Sequence, residues 1–237
     1  MGPIFLTTNV DIKFKNFLKA WAIFNMSNRI LKRKFSKKQA ENIISGIHAV
    51  CSLYFSGRND IKNLRWFSSA YFLHDFIQMF FSKKIDIMKL AYMYHHFSGI
   101  YLLSRDSREV PIGDMLFWGE LSNLPSYPLY YYLHEDNSLH KEKIVFLQLL
   151  QKILYTGIRV PLLTQKLIQY LLTAPNYKHL FAIMPVYLMG IIWGGKIITQ
   201  KLKKGIDEGE DVAELIGDSS LSTVRLCLFY FLQSKIF

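Results

Sequence analysis

The chain has 237 residues, of which 51% are hydrophobic and 15% are aromatic, and its mean hydropathy is +0.13. Its net charge of +11 would suit a nucleic-acid partner, but the basic residues are divided among short segments between apolar stretches, without the spacing of a groove-reading helix. These properties argue against a nucleic-acid-binding protein. Repeated apolar stretches are typical instead of a multi-span helical membrane protein, because a bilayer core takes about 20 helical residues. A soluble bundle of buried helices is the alternative.

The predicted elements begin with an amphipathic helix at 12–26, which carries three lysines and would lie at the membrane surface or cross the membrane imperfectly. Residues 1–39 are assigned to this helix and a basic loop, 40–200 to a membrane domain and 201–237 to a C-terminal tail. The membrane domain contains six apolar segments, each near the length of a membrane-spanning helix. These segments are 41–57, 66–82, 85–103, 110–133, 144–172 and 179–198.

The charges between the segments orient the predicted domain. The stretch RILKRKFSKK at 29–38 contains six Lys or Arg residues, and further lysines at 83–84, 141–143 and 201–204 fall on the same side. The opposite side receives fewer basic residues. By the positive-inside rule, the basic loops and the C-terminus are expected to face the cytosol.

Each of the first five segments carries a polar or charged side chain near its middle. A charged side chain at the bilayer centre costs about 2.5–3.5 kcal/mol on insertion scales. We therefore expect these side chains to face one another or water, in a polar chamber enclosed by the helices. They are His48 in the first segment, His74 and Asp75 in the second, His95 and His96 in the third, Glu120, Ser122 and Asn123 in the fourth, and Arg159 in the fifth.

Helical spacing supports a shared chamber. His95 and His96 diverge by about 100° around a helix, yet both can line a concave wall. Pro125 and Pro128 are expected to bend the fourth segment just after the Glu120 cluster. Residues three or four apart share a helix face. The pairs with this spacing are Glu120 and Asn123, Tyr71 and Asp75, Tyr92 and His96, and Tyr155 and Arg159.

A structural interpretation remains open beside the functional one. An ion-paired network, for instance Asp75 or Glu120 with Arg159, would only fix the helix packing. His74 is interpreted as a packing or interfacial residue. The loop histidines His134, His140 and His179 are expected to be inert.

The order of several short motifs resembles the TLC domain family over about residues 40–200. That family includes ceramide synthases, the translocon-associated TRAM proteins, the neuronal ceroid lipofuscinosis TLC protein and small TLC domain-containing proteins. The likeness is greatest to the last group, which shares the YHH and E-x-S-N patterns. The resemblance implies an all-α, six-helix transmembrane barrel with a central polar cavity, in the endoplasmic reticulum or a related endomembrane. The motifs are HA at 48–49, YFLHD at 71–75, YHH at 94–96, ELSN at 120–123 and IR at 158–159.

The resemblance also implies a chemistry. Ceramide synthases transfer an acyl group from acyl-CoA to a sphingoid amine and use paired histidines for catalysis, so His95 and His96 take that place here. This chain departs from them downstream, where FWGELSN offers Glu120 as the only deep acid in place of a His-Asp and a further Asp. The acyl acceptor, an amine or a hydroxyl, is therefore left open.

Acyl transfer needs a general base or a nucleophile, and an imidazole can serve as either. We expect His95 or His96 to attack the thioester or deprotonate the acceptor, while Asp75 or Glu120 orients the ring. Other side chains would donate hydrogen bonds to the oxyanion or bind a phosphate or carboxylate. These substrate-binding candidates are His48, Tyr92, Ser122, Asn123 and Arg159.

The expected partners are membrane lipids and acyl-CoA as co-substrate, with no tightly bound cofactor or metal. A non-catalytic lipid-binding protein that regulates membrane lipid composition is the second interpretation. A transporter would also place acids and histidines at mid-depth, but the chain has no internal repeat. A membrane di-iron hydroxylase needs HxxxH-type sets, which the seven histidines do not form. An adjacent histidine pair with distant acids is not a recognisable zinc site.

Overall fold

The structure is a computed structural model that describes residues 4–82, 84–105, 110–134, 140–173 and 177–199. These residues form helices and connecting turns without a strand, which confirms the predicted all-α class. The predicted tail at 201–237 lies outside the described residues. The helices are α1 (Ile4–Leu31), α2 (Lys37–Gly57), α3 (Ile61–Phe80), α4 (Ile87–Leu103), α5 (Ile112–Asn123), α6 (Ser126–Tyr132), α7 (Lys141–Lys152), a π-helical segment (Ile153–Arg159), α8 (Val160–Thr173) and α9 (Leu180–Thr199).

Two of the predicted segments are interrupted helices. The fourth is divided into α5 and α6 at Pro125, as the sequence predicted, because proline has no N–H for the helical ladder and its ring clashes with the preceding turn. The fifth was predicted as one continuous helix, but it contains the π-helical segment. Pro161 follows that segment and has no N–H for the carbonyl of Gly157, which accounts for the widened turn.

Polar caps fix where three of the helices begin. At the start of α2, Ser36 and Gln39 form a reciprocal capping box, with distances of 3.1 and 3.3 Å between side-chain oxygens and backbone nitrogens. Asp60 accepts a hydrogen bond from the backbone of Asn63 at 3.2 Å, and Asp86 caps α4 in the same way. Short capped turns of this kind connect neighbouring antiparallel helices.

The helices of residues 37–199 form six rods that contact one another in a closed ring: α2, α3, α4, α9, the rod α7–π–α8, and the pair α5–α6, which returns to α2. Helix α1 lies outside the ring and packs mainly against α3. The contacts that mark the ring are Ser52 with Ser68, Asp75 with His96, Tyr92 with Trp193, Tyr187 with Thr164, Arg159 with Asn123, and Glu120 with His48.

The C-terminal ends of α1, α3 and α6 lie at the same end of the bundle. Lys32 contacts Gln78 near the end of α3 at 3.3 Å, and the ring of Phe35 lies 6.4 Å from that of Tyr131 in α6. Because the stretch 29–38 contributes six Lys or Arg residues here, we call this the basic end.

One helix of the described residues has the length and composition of a membrane span. It is Leu180–Ile198, with a mean hydropathy of 1.7. Helices α4 to α8 each have 17 residues or fewer and are shorter than such a span. This finding indicates membrane association only weakly, and the six-span arrangement remains a prediction.

Helix α9 contains Pro185, whose missing N–H leaves the carbonyl of Phe181 without its usual helical partner. The hydroxyl of Tyr94 on α4 donates a hydrogen bond to that carbonyl at 2.8 Å. The contact therefore supplies, from a neighbouring helix, the hydrogen bond that proline removes.

Tyr94→Phe is expected to lower the free energy of unfolding by about 1 kcal/mol, because the Phe181 carbonyl loses its donor. Thermal or denaturant unfolding of the purified protein measures this change. The matched control is Tyr54→Phe, since Tyr54 is exposed and contacts Arg58 through its ring. Equal effects of the two substitutions would show that the interhelical hydrogen bond contributes nothing.

Candidate functional site

The ring surrounds a half-open cavity of about 600 Å³, the polar chamber, in the half of the bundle next to the basic end. Its wall begins with Asn42 and Ser45 in the first turns of α2 and includes Trp193 and Ile197 in the last turns of α9. The structure brings most of the predicted site residues to this wall, while their chemical roles remain predictions. Those lining the chamber are His48, Asp75, Tyr92, His95, His96, Glu120 and Asn123.

A second, narrower cavity of about 80 Å³ lies on the side away from the basic end. Most of its lining is aliphatic or aromatic, so we call it the apolar pocket. Four residues line both cavities, which places the pocket directly beside the chamber. The shared residues are Phe72, His95, Glu120 and Asn123.

His96 and Asp75 form the shortest charged contact in the chamber wall. The distance from His96 Nε2 to Asp75 Oδ2 is 3.1 Å, and the carboxylate side chain is 27% exposed. An ionised carboxylate only accepts hydrogen bonds, so Nε2 donates to Asp75 and Nδ1 is the nitrogen that remains for another partner. That Nδ1 atom is buried without a partner. The pair has the orientation of an acid that positions a basic imidazole.

His95 stands at the junction of the two cavities. Its ring centroid is 5.6 Å from that of His96, and the two rings are nearly perpendicular at 83°. Its Nδ1 atom is also buried without a partner. An imidazole at this position can reach a group whose chain lies in the pocket and whose polar end lies in the chamber.

Close packing between α3 and α4 supports the histidine pair. A Cβ atom on Gly99 would lie 2.7 Å from the ring of Phe72, closer than real contacts allow. Glycine therefore lets the Phe72 ring pack on the backbone of α4, where its edge meets His96 with 5.1 Å between ring centroids.

A second imidazole–carboxylate contact lies on the opposite wall. Nδ1 of His48 is 3.6 Å from Oε1 of Glu120, and Nε2 of His48 is 3.0 Å from the hydroxyl of Ser52. This order matches a Ser–His–acid triad. However, Ser52 is fully buried and its hydroxyl also contacts Ser68 at 3.0 Å, so it cannot reach a substrate. Glu120 additionally accepts a hydrogen bond from Tyr127 at 3.3 Å.

Arg159 ends the π-helical segment and projects into the interior. Its Nη1 donates to Oδ1 of Asn123 at 2.8 Å and to the carbonyl of Gly119 at 3.4 Å, and its guanidinium lies over the ring of Tyr155. The side chain is only 7% exposed, and it lines the apolar pocket. The ion pair of Arg159 with Asp75 or Glu120, which the structural interpretation invoked, is not formed.

Some predicted positions differ from the structure. Ser122 reaches neither cavity, because it is fully buried and its hydroxyl donates to the carbonyl of Gly119 at 2.7 Å. The hydroxyl of Tyr71 donates to Ser45 at 2.8 Å. His74 faces α1 and contacts Asn28 at 3.4 Å, in agreement with a packing role.

Other chamber residues were not singled out from the sequence. A polar stripe was visible on α2, where Asn42, Ser45, His48 and Ser52 recur every three or four residues. On the rod α7–π–α8, four-residue steps lead from Gln151 through Tyr155 to Arg159. The polar and aromatic residues missed by the sequence analysis include Asn42, Ser45, Ser126, Tyr127, Tyr130, Gln151 and Trp193.

Comparisons of the chain with protein-family models, with curated proteins and with solved structures found no match. The TLC resemblance therefore depends on the motifs alone. Among the described residues, no group of three or more His, Cys, Asp or Glu side chains is arranged to hold a metal ion.

Proposed function

We propose that the protein is a multi-pass membrane protein of TLC type that transfers an acyl group from acyl-CoA to a lipid amine or hydroxyl. The six rods would span an endomembrane, in the endoplasmic reticulum or a related compartment, with the basic end in the cytosol. The outer surface supports this placement, because a soluble monomer rarely exposes so many large apolar side chains. Examples more than half exposed occur on six helices: Ile23, Val50, Phe80, Phe97, Leu172 and Ile192.

The observation that carries the proposal is the position of the histidine pair between two cavities of different polarity. The narrow pocket suits an acyl chain, and the wider chamber suits the polar reactants. His95 lines both cavities, and His96 is oriented by Asp75 at 3.1 Å. This arrangement supports a reaction at the carbon that joins an apolar chain to a polar group.

The proposed reaction uses these side chains in a simple order. His95 or His96 takes a proton from the acceptor amine or hydroxyl, and the acceptor attacks the thioester carbonyl carbon. The guanidinium of Arg159 stabilises the negative charge that develops on the carbonyl oxygen. The C–S bond then breaks, and the thiol of CoA leaves with the proton that the imidazole returns. Asp75 stabilises the charged imidazole between the two proton transfers.

The basic end suits the phosphates of the co-substrate. The loop at 29–38 lies beside the chamber, where Lys32 contacts Glu41 at 3.5 Å near the start of α2. Lysines on the cytosolic face of a membrane attract anionic groups such as the phosphates of CoA and of lipid headgroups.

Labelled acyl-CoA, supplied with a mixture of lysolipids and long-chain bases, tests the proposal. Purified protein in lipid bilayers is expected to form a labelled lipid that retains the acyl group. Heat-denatured protein serves as the control for spontaneous transfer. The absence of product with every acceptor in the mixture would contradict the proposal.

A non-catalytic lipid-binding protein is the second candidate. The specific observation in its favour is the joined pair of cavities, which would hold a lipid chain and its headgroup without any chemistry. Tight co-purification of lipid, together with the absence of acyl transfer, would favour this candidate.

A further inference from the structure

Arg159 is a buried cation that forms no ion pair with a carboxylate among the described residues. Its side chain is 7% exposed, and its protein contacts are an amide oxygen, a backbone carbonyl and an aromatic ring. A buried guanidinium is costly unless an anion accompanies it. The two acids of the chamber have shorter contacts with histidines, Asp75 with His96 and Glu120 with His48, and neither lies within ion-pair distance of the guanidinium.

The guanidinium also has unused donors. The hydrogen bonds to Asn123 and Gly119 both come from Nη1, while Nε is buried without a partner. The Nε–Nη2 edge of arginine matches the two oxygens of a carboxylate. Gly190 on α9 lies beside this edge, since a Cβ atom there would be 3.7 Å from Nε.

We propose that Arg159 binds the carboxylate of a free fatty acid whose chain lies in the apolar pocket. This extends the proposed function by assigning a ligand to the pocket, and it does not require the transfer reaction. The pocket is narrow, at about 80 Å³, and most of its lining is apolar, so a single unbranched chain suits it better than a phosphate headgroup with two chains.

The pocket continues from Arg159 along α8 past Leu163 and Leu167 to Tyr170, roughly 16 Å of helix at 1.5 Å per residue. At its far end Lys166 forms an ion pair with Asp114 at 2.9 Å. The carboxylate of Asp114 already compensates that second cation. Arg159 is therefore the cation of the pocket that remains available to a ligand.

Equilibrium binding of palmitate and of hexadecanol to the purified protein in nanodiscs tests this inference. The two ligands have the same chain, so their difference reports the carboxylate. Palmitate is expected to bind at least about tenfold more tightly, because hydrogen bonds to charged groups are the stronger ones. Arg159→Met is expected to remove this preference. Equal binding of the two ligands to the wild-type protein would overturn the proposal.

Two further variants test whether the result reflects misfolding, or a ligand that binds in the opposite direction with its carboxylate at Lys166. Asn123→Asp keeps the side-chain volume and places a carboxylate beside Nη1, so it should weaken palmitate binding without affecting hexadecanol. Lys166→Met should leave the preference intact. Loss of the preference in Lys166→Met, or stronger binding of lysophosphatidic acid than of palmitate, would overturn the proposal. Acyl transfer without a carboxylate preference would refute this inference alone, whereas a preference without transfer would support it.

Discussion

Replacing both His95 and His96 with alanine is expected to abolish the formation of acylated lipid. The double variant loses the imidazole that contacts Asp75 at 3.1 Å and the one that lines both cavities. A positioned general base contributes about 10²–10⁴-fold to a rate, so the remaining activity should fall below detection. The rate of labelled product formation per folded molecule measures the loss. Unchanged product would refute the catalytic role.

The Asp75→Asn substitution tests the contribution of Asp75 separately from that of the His96 imidazole. The amide can no longer stabilise a charged imidazole at His96, so a partial loss of rate is expected. If Asp75 acts only through His96, adding Asp75→Asn to His96→Ala should cause no additional loss. A full additional loss in the combined variant would show that the two side chains act independently.

The control for both experiments is His74→Gln. His74 is adjacent to Asp75 in the chain and equally deep in α3, but it faces α1, where it stacks on Phe24 and contacts Asn28. Its replacement should leave the rate per folded molecule unchanged. A loss as large as that of the double variant would indicate damage to the helix packing instead of to the chemistry.

The sequence predicted the helices and the polar interior well for a physical reason. A charged side chain in an apolar helix has few tolerable surroundings, so Asp75, Glu120 and Arg159 had to turn inward. The break at Pro125 was equally predictable, since it follows from the missing N–H of one residue. Predictions of this kind depend on one helix at a time.

The partners of these side chains were less predictable, because they depend on how helices meet. Tyr71 shares a face with Asp75, yet its hydroxyl donates to Ser45 on α2. Arg159 lies in a π-helical segment, whose widened turn changes the direction of every later side chain. It therefore contacts Asn123 in place of an acid.

Gly119→Leu is expected to lower the transfer of long acyl chains by more than about 100-fold. Gly119 lines the apolar pocket, and a Cβ atom there would meet nothing within 4 Å. A leucine side chain would therefore occupy the pocket without displacing the protein, and the acyl chain could not reach its bound position, which is costly for a positioned reaction. Leucine also favours the helix more than glycine does, so the fold should be retained.

Gly195→Leu on α9 provides the matched control, because a Cβ atom there also meets nothing within 4 Å and the residue lines neither cavity. This variant should transfer acyl groups at the wild-type rate. Comparing short with long acyl-CoA sharpens the result, since a short chain needs less of the pocket and should lose less activity in Gly119→Leu. Full activity of Gly119→Leu with long chains would show that the acyl chain does not bind in the apolar pocket during the transfer.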